Sequence, residues 1–134
     1  KKRKSFDIIS LSKNTNLYKI NIIYKGIKML CRKRCYRNFL EGDITIEELK
    51  NKILQGAIII DVRSNQEYRE GHIKGAINIP EFEIKNKILK EIPKKNQLIV
   101  LYCQYGGRSR NAMQLMKKMG YTNLYNLYGG LDML

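Results

Sequence analysis

The chain has 134 residues, 43% of them hydrophobic and 28% charged, which is ordinary globular usage and excludes wholesale disorder. Its 26 Lys+Arg against 12 Asp+Glu leave a net charge of +14, a balance that by itself points to a nucleic-acid or anionic-membrane partner. The charge is unevenly placed: residues 1–40 hold 12 basic residues and one acid, whereas residues 41–134 hold 14 basic and 11 acidic. A basic N-terminal extension (1–40) thus precedes a nearly balanced unit (41–134), and nucleic acid is not an expected partner. No apolar run approaches the ~20 residues of a membrane span, because Lys19, Asn21, Lys25 and Lys28 interrupt the only candidate. Phe6–Leu11 is too short for a secretory core and contains Asp7 and Ser10. Three cysteines form no disulfide framework, so a reducing cytoplasm is the expected compartment.

In the extension, Ile20, Ile23, Tyr24, Ile27 and Leu30 recur at helical spacing, yet Tyr18, Ile20, Ile22 and Tyr24 alternate as in a strand. A flexible or loosely docked basic extension is one reading, and a basic helix lying on an anionic membrane is the other. Position 1 is not Met, and Met29 is a candidate translation start. From Gly42 the signals sharpen. Thr45-Ile46-Glu47-Glu48 is a capping box opening a helix to about Leu54. Ala57–Val62 is a β-branched run that predicts a buried strand. A short helix is expected over Asn65–Glu70, stopped by Gly71-His72, and Ala76–Ile79 is a strand stopped by Pro80. Glu81–Ile92 predicts a surface helix with Phe82, Ile84, Ile88, Leu89 and Ile92 as its apolar positions. Gln97–Tyr102 is the most hydrophobic strand. Arg108–Met119 predicts a helix with Ala112, Leu115, Met116 and Met119 inward, stopped by Gly120. Leu124–Tyr128 is a last strand before Gly129-Gly130. Such alternation predicts an α/β domain with a mainly parallel central sheet flanked by helices, with its ligand site beyond the carboxyl ends of the strands.

The chemistry is expected in Cys103-Gln104-Tyr105-Gly106-Gly107-Arg108-Ser109, directly after the strongest strand and at the opening of a helix. Two glycines let the backbone curl and turn successive N–H groups inward as an anion nest. The helix start adds unpaired donors and the positive end of its dipole. Both favour a thiolate, the nucleophilic form of cysteine, and Arg108 adds a positive charge at the rim.

These residues resemble the rhodanese family of sulfurtransferases over about residues 43–131. The resemblance rests on Asp61-Val62-Arg63, on the block from Glu67-Tyr68-Arg69-Glu70-Gly71-His72 through Pro80, on Tyr102-Cys103 through Ser109, and on Leu127-Tyr128-Gly129-Gly130. It implies that Cys103 accepts a sulfane sulfur from a small donor such as thiosulfate or a low-molecular-weight persulfide. The loop N–H groups of Gln104–Ser109 would hold the outer sulfur until cyanide, a thiol or an acceptor protein removes it. Neither metal nor organic cofactor is implied. Cell-cycle tyrosine phosphatases and some arsenate reductases, similar in fold, place five residues between Cys and Arg; here four, Gln104 to Gly107, stand between Cys103 and Arg108, which suits a terminal sulfur better than a phosphoryl group. A rhodanese-fold module that binds or senses sulfur or redox state without turnover is the alternative.

Asp61 and Arg63 stand at a strand end, where they either reach the site or form a stabilising ion pair. His72 is the only histidine; a Cys–His dyad is weighed against the family's structural turn. Gly129 and Gly130 either let a neighbouring loop approach the rim or form a plain turn. Two departures from the family stand out: neutral Gln104 and Tyr105 come after the nucleophile where many thiosulfate users carry a basic residue, and no Trp comes after Gly129-Gly130. Cys31 and Cys35 lack further ligands for zinc and are either incidental or a redox partner of Cys103.

Overall fold

The β-branched runs of this chain are short, and most are succeeded by a helix-start signal, so the backbone is cut into small β–α units. The computed structural model describes residues 4–9 and 39–134. In chain order they form strands β1 (Lys4–Phe6) and β2 (Asp43–Ile44), helix α1 (Ile46–Leu54), β3 (Ile58–Asp61), α2 (Asn65–Glu70), β4 (Gly71–Ile73) and β5 (Ile77–Asn78). A 3-10 turn over Glu81–Glu83 runs into α3 (Ile84–Glu91), and then come β6 (Ile99–Tyr102), α4 (Gly107–Lys118), β7 (Leu124–Leu127) and a closing 3-10 turn (Gly130–Met133). Strands β2, β7, β6, β3 and β5 lie in that order in one sheet, and every pairing in it is parallel. This is the α/β architecture expected from the alternation of elements.

The two-residue period of a strand sends alternate side chains to opposite faces, and β6, buried throughout, divides its residues between two cores in this way. Ile99, Leu101 and then Cys103 join the apolar cluster of Ile84, Ile88 and Met116, whereas Val100 and Tyr102 join Leu49, Ile59 and Ile73. Parity alone therefore puts the Cys103 side chain on the face covered by α3 and α4. Helix α1 starts from the capping box, with Thr45 and Glu48 each bonded to the other's backbone N–H.

Several expectations need correction. In α3 the buried stripe is Ile84, Ile88 and Ile92, while Phe82 and Leu89 are exposed. The 3-10 turn swings Phe82 off the stripe, and Leu89 sits ~100° around the helix from Ile88. In α4 the buried residues are Ser109, Ala112, Met113 and Met116, and Leu115 and Met119 are only partly buried. The inward face is rotated because Ser109 is drawn toward the sheet by polar partners. Gly71-His72 ends α2 but also begins a strand, since β4 pairs in parallel with β1, Lys4 against Gly71 through Phe6 against Ile73. This part of the basic extension is packed: Ile8 is 2% exposed, within the cluster of Leu49 and Ile73. The helix-or-strand question over Tyr18–Leu30, and Cys31 and Cys35, lie outside the described residues. Among the described residues no helix is long and apolar enough to cross a membrane.

Candidate active site

β6 delivers Cys103 to the carboxyl edge of the sheet, 1% exposed. The chain then turns through Gly106, whose φ of +94° is costly for any residue with a Cβ, and its N–H donates to Cys103 Sγ at 3.0 Å. A Cβ here would also stand 3.1 Å from the Gly129 nitrogen. Gly107 opens α4 with free space around its own Cβ position, so the tight curl rests on Gly106 and not on both glycines. Behind the loop, Gly129 and Gly130 adopt φ of +72° and +61°. The Leu131 and Asp132 N–H groups donate to the Cys103 and Gln104 carbonyls, both at 3.0 Å. A Cβ on Gly130 would overlap those carbonyls, so the two loops share one close backbone seam.

A polar chain leads away from the sulfur on the sheet side. Ser109 Oγ lies 3.4 Å from Sγ, 3.2 Å from the Gly106 carbonyl and 2.5 Å from Asn126 Oδ1. Asn126 Nδ2 donates to Asp43 Oδ1 at 2.7 Å, and Arg110 donates to Asp43 Oδ2 at 2.5 Å. An ionised carboxylate only accepts, so Asp43 fixes the Asn126 amide with its oxygen facing Ser109. The Ser109 hydroxyl has one proton and three acceptors around it, sulfur among them.

The cations near the loop are paired. Arg63, 4% exposed, bonds Asp61 through Nε and Nη2 and the Gly71 carbonyl through Nη2, with Nη1 3.4 Å from Gln104 Oε1. Burial opposes its charge, but the bonds and charge of Asp61 outweigh burial and hold the guanidinium above its ordinary value. Asn78 Nδ2 donates to the carbonyls of Asp61 and Arg63, locking that turn. Arg108 is not a free charge at the rim: it donates bidentately to Glu67, Nη1 to Oε2 at 2.9 Å and Nη2 to Oε1 at 2.7 Å. Those bonds, chiefly, bring the Glu67 carboxyl down to about 2, with the Ser64 bonds assisting against burial. Glu67 in turn holds Arg108 above its ordinary value, and the neighbouring Cys103 sulfur adds to this.

Tyr105 is 73% exposed. The His72 ring stacks on Tyr68 at 3.8 Å, and its Nδ1 donates to the Tyr68 carbonyl at 2.9 Å, which places it in the turn between α2 and β4. Sequence reasoning misses three residues at the site: Glu67, Asn126 and Asp43. Glu67 has a legible signal, since Ser64-Asn65-Gln66-Glu67 is a second capping box. Asn126 and Asp43 have none, being joined across 83 positions.

A parallel sheet that carries one cysteine from its central strand into a glycine turn and a helix start defines an α/β domain built around a single sulfur centre. The rhodanese-like domain family model matches residues 45–133, and the chain belongs to the rhodanese-like family. It is 43% identical over 72 residues to the thiosulfate sulfurtransferase PspE of Escherichia coli, covering 54% of this chain and 68% of that protein. Among solved structures, the human single-domain sulfurtransferase TSTD1 superposes with a TM-score of 0.63 at 31% identity, over 70% of this chain and 95% of that one. An E. coli rhodanese solved with anions gives 0.54 at 38% identity, over 58% and 91%.

Proposed function

We propose that the protein is a sulfurtransferase that moves a sulfane sulfur from thiosulfate or a low-molecular-weight persulfide to a thiophilic acceptor through a persulfide on Cys103. The observation that carries this reading is the Cys103 sulfur itself, buried and accepting the Gly106 N–H at 3.0 Å in a turn that only glycine fits. In the first half-reaction the Cys103 thiolate attacks the outer sulfur of the donor. The donor's S–S bond breaks with its electron pair leaving on sulfite or a thiolate, and a new S–S bond forms on Cys103. Backbone N–H groups of the loop face the negative outer sulfur, as donors face a developing oxyanion. In the second half, cyanide, a thiol or an acceptor protein takes that sulfur and returns the thiolate, which gives ping-pong kinetics. His72 takes no part, its Nδ1 being committed to the Tyr68 carbonyl. Three cysteines, an odd and sparse set, fit a reducing compartment, and we propose the cytoplasm.

Intact mass after incubation with thiosulfate or a persulfide donor tests this. One sulfur atom should be gained, lost again on adding cyanide, and never gained by Cys103→Ser. If Cys103 loads no sulfur from either donor, the alternative of a non-catalytic binding or sensing module takes its place.

A further inference from the structure

The molecule is strongly basic, yet the arginines around the sulfur centre each face a carboxylate: Arg63 on Asp61, Arg110 on Asp43 and Arg108 on Glu67. Arg63 is sealed behind the loop, 4% exposed. Arg108 and Glu67 are different: their side chains are 40% and 33% exposed, and Arg108 is close enough to the Cys103 sulfur to feel its charge. Glu67 takes the end-on face of Arg108 through both terminal nitrogens, so the positive charge that would draw in a dianion is already matched by a carboxylate. The loop residues from Gln104 to Gly107 carry no charge.

Resting on the sulfurtransferase reading, we propose that Glu67 is a specificity-determining residue: by occupying Arg108 it turns the site against dianionic donors such as thiosulfate and toward thiol persulfides. The chemistry gives the discrimination its sign. Attack by the Cys103 thiolate on thiosulfate brings a monoanion onto a dianion and expels sulfite. Attack on R–S–S⁻ brings together two monoanions and expels RS⁻, and on R–S–SH the incoming charge is absent. In each case one S–S bond breaks, one forms, and no net oxidation occurs. The carbon portion R also has a place to lie. A groove of about 490 Å³ opens beside Arg108, walled by Val62, Pro80, Phe82 and Leu115, with Ser64 and Glu81 on its polar side. Thiosulfate has no carbon to place there.

The test is the ratio of kcat/KM for thiosulfate to kcat/KM for glutathione persulfide, with cyanide as acceptor, measured on the full chain. Wild type should favour the persulfide by about tenfold or more, and Glu67→Gln should raise the ratio by about tenfold, the size of one like-charge contact at a part-exposed site. Glu67→Asp, which keeps the charge, should stay near the wild-type ratio. A purely structural role for Glu67 would lower both activities together and leave the ratio unmoved. Equal use of the two donors by wild type overturns the proposal even if the variants do not fold, as does an unchanged ratio in folded Glu67→Gln. Failure of both donors to load Cys103 is a separate result, which removes the sulfurtransferase reading itself.

Discussion

The chain uses the same four-residue device twice, at Thr45–Glu48 and at Ser64–Glu67, and the two copies end up with different work. In both, a hydroxyl side chain accepts the N–H of the glutamate three residues on, and the glutamate accepts the N–H of the capping residue. Thr45 and Glu48 bond one another and start α1, an amphipathic helix whose Leu49 is fully buried. Ser64 and Glu67 start α2, which buries none of its residues, and Glu67 reaches across 41 positions to Arg108. The first box serves packing, and the second ties a loop next to β3 to α4, the helix that begins four residues after the cysteine. A local motif thus fixes a local shape, and its use depends on what the fold brings opposite it.

Removing each glutamate separates the two uses. Glu67→Ala should destabilise the protein by about 2 kcal/mol, since a cap contact and an ion-pair partner go together. Glu48→Ala should cost about 0.5–1 kcal/mol, the value of a cap contact alone. Urea denaturation read by circular dichroism gives both numbers, and equal losses would mean that the Arg108 contact adds nothing. A double-mutant cycle sharpens this further. Glu67→Ala and Arg108→Ala should be coupled by about 1 kcal/mol, whereas Glu48→Ala and Arg108→Ala should be additive within about 0.5 kcal/mol.

The same contrast shows what is legible in a sequence. The α/β fold can be read because strand alternation, capping residues and glycine stops are local: Thr45, Gly71, Pro80 and Gly120 each mark an element end without knowledge of the rest. Pattern reading fails where neighbours decide. Phe82 and Leu89 are apolar at helix-like spacing, but only Ile84, Ile88 and Ile92 point at the sheet. Met113 escapes the apolar pattern of α4 because Ser109, a polar residue, lies on the buried face. That rotation is set by Asn126 and, through it, by Asp43 on a third element. No spacing rule links positions 43, 109 and 126. Cys103 and the Gly106 turn are legible because strand, sulfur, glycine and helix start are contiguous. The pairing of Arg108 is not, because a lone arginine at a helix start reads the same whether or not a carboxylate faces it.

Acid titration is the gentlest probe of that pairing. A carboxyl near 4.5 in the unfolded chain and at about 2 in the folded protein binds a proton more readily when unfolded. Glu67 therefore contributes its full share of stability above about pH 4.5, and that share is lost as pH falls toward 2. With a third of the side chain exposed, solvent screening reduces the contribution to about 1 kcal/mol. Glu67→Gln cannot take on that charge, so its stability should fall less steeply than wild type between pH 4.5 and 2. Thermal melts across that interval measure the difference in slope. Parallel profiles for the two proteins would mean that Arg108 and Glu67 meet without mutual stabilisation, leaving the second capping box with no more effect than the first.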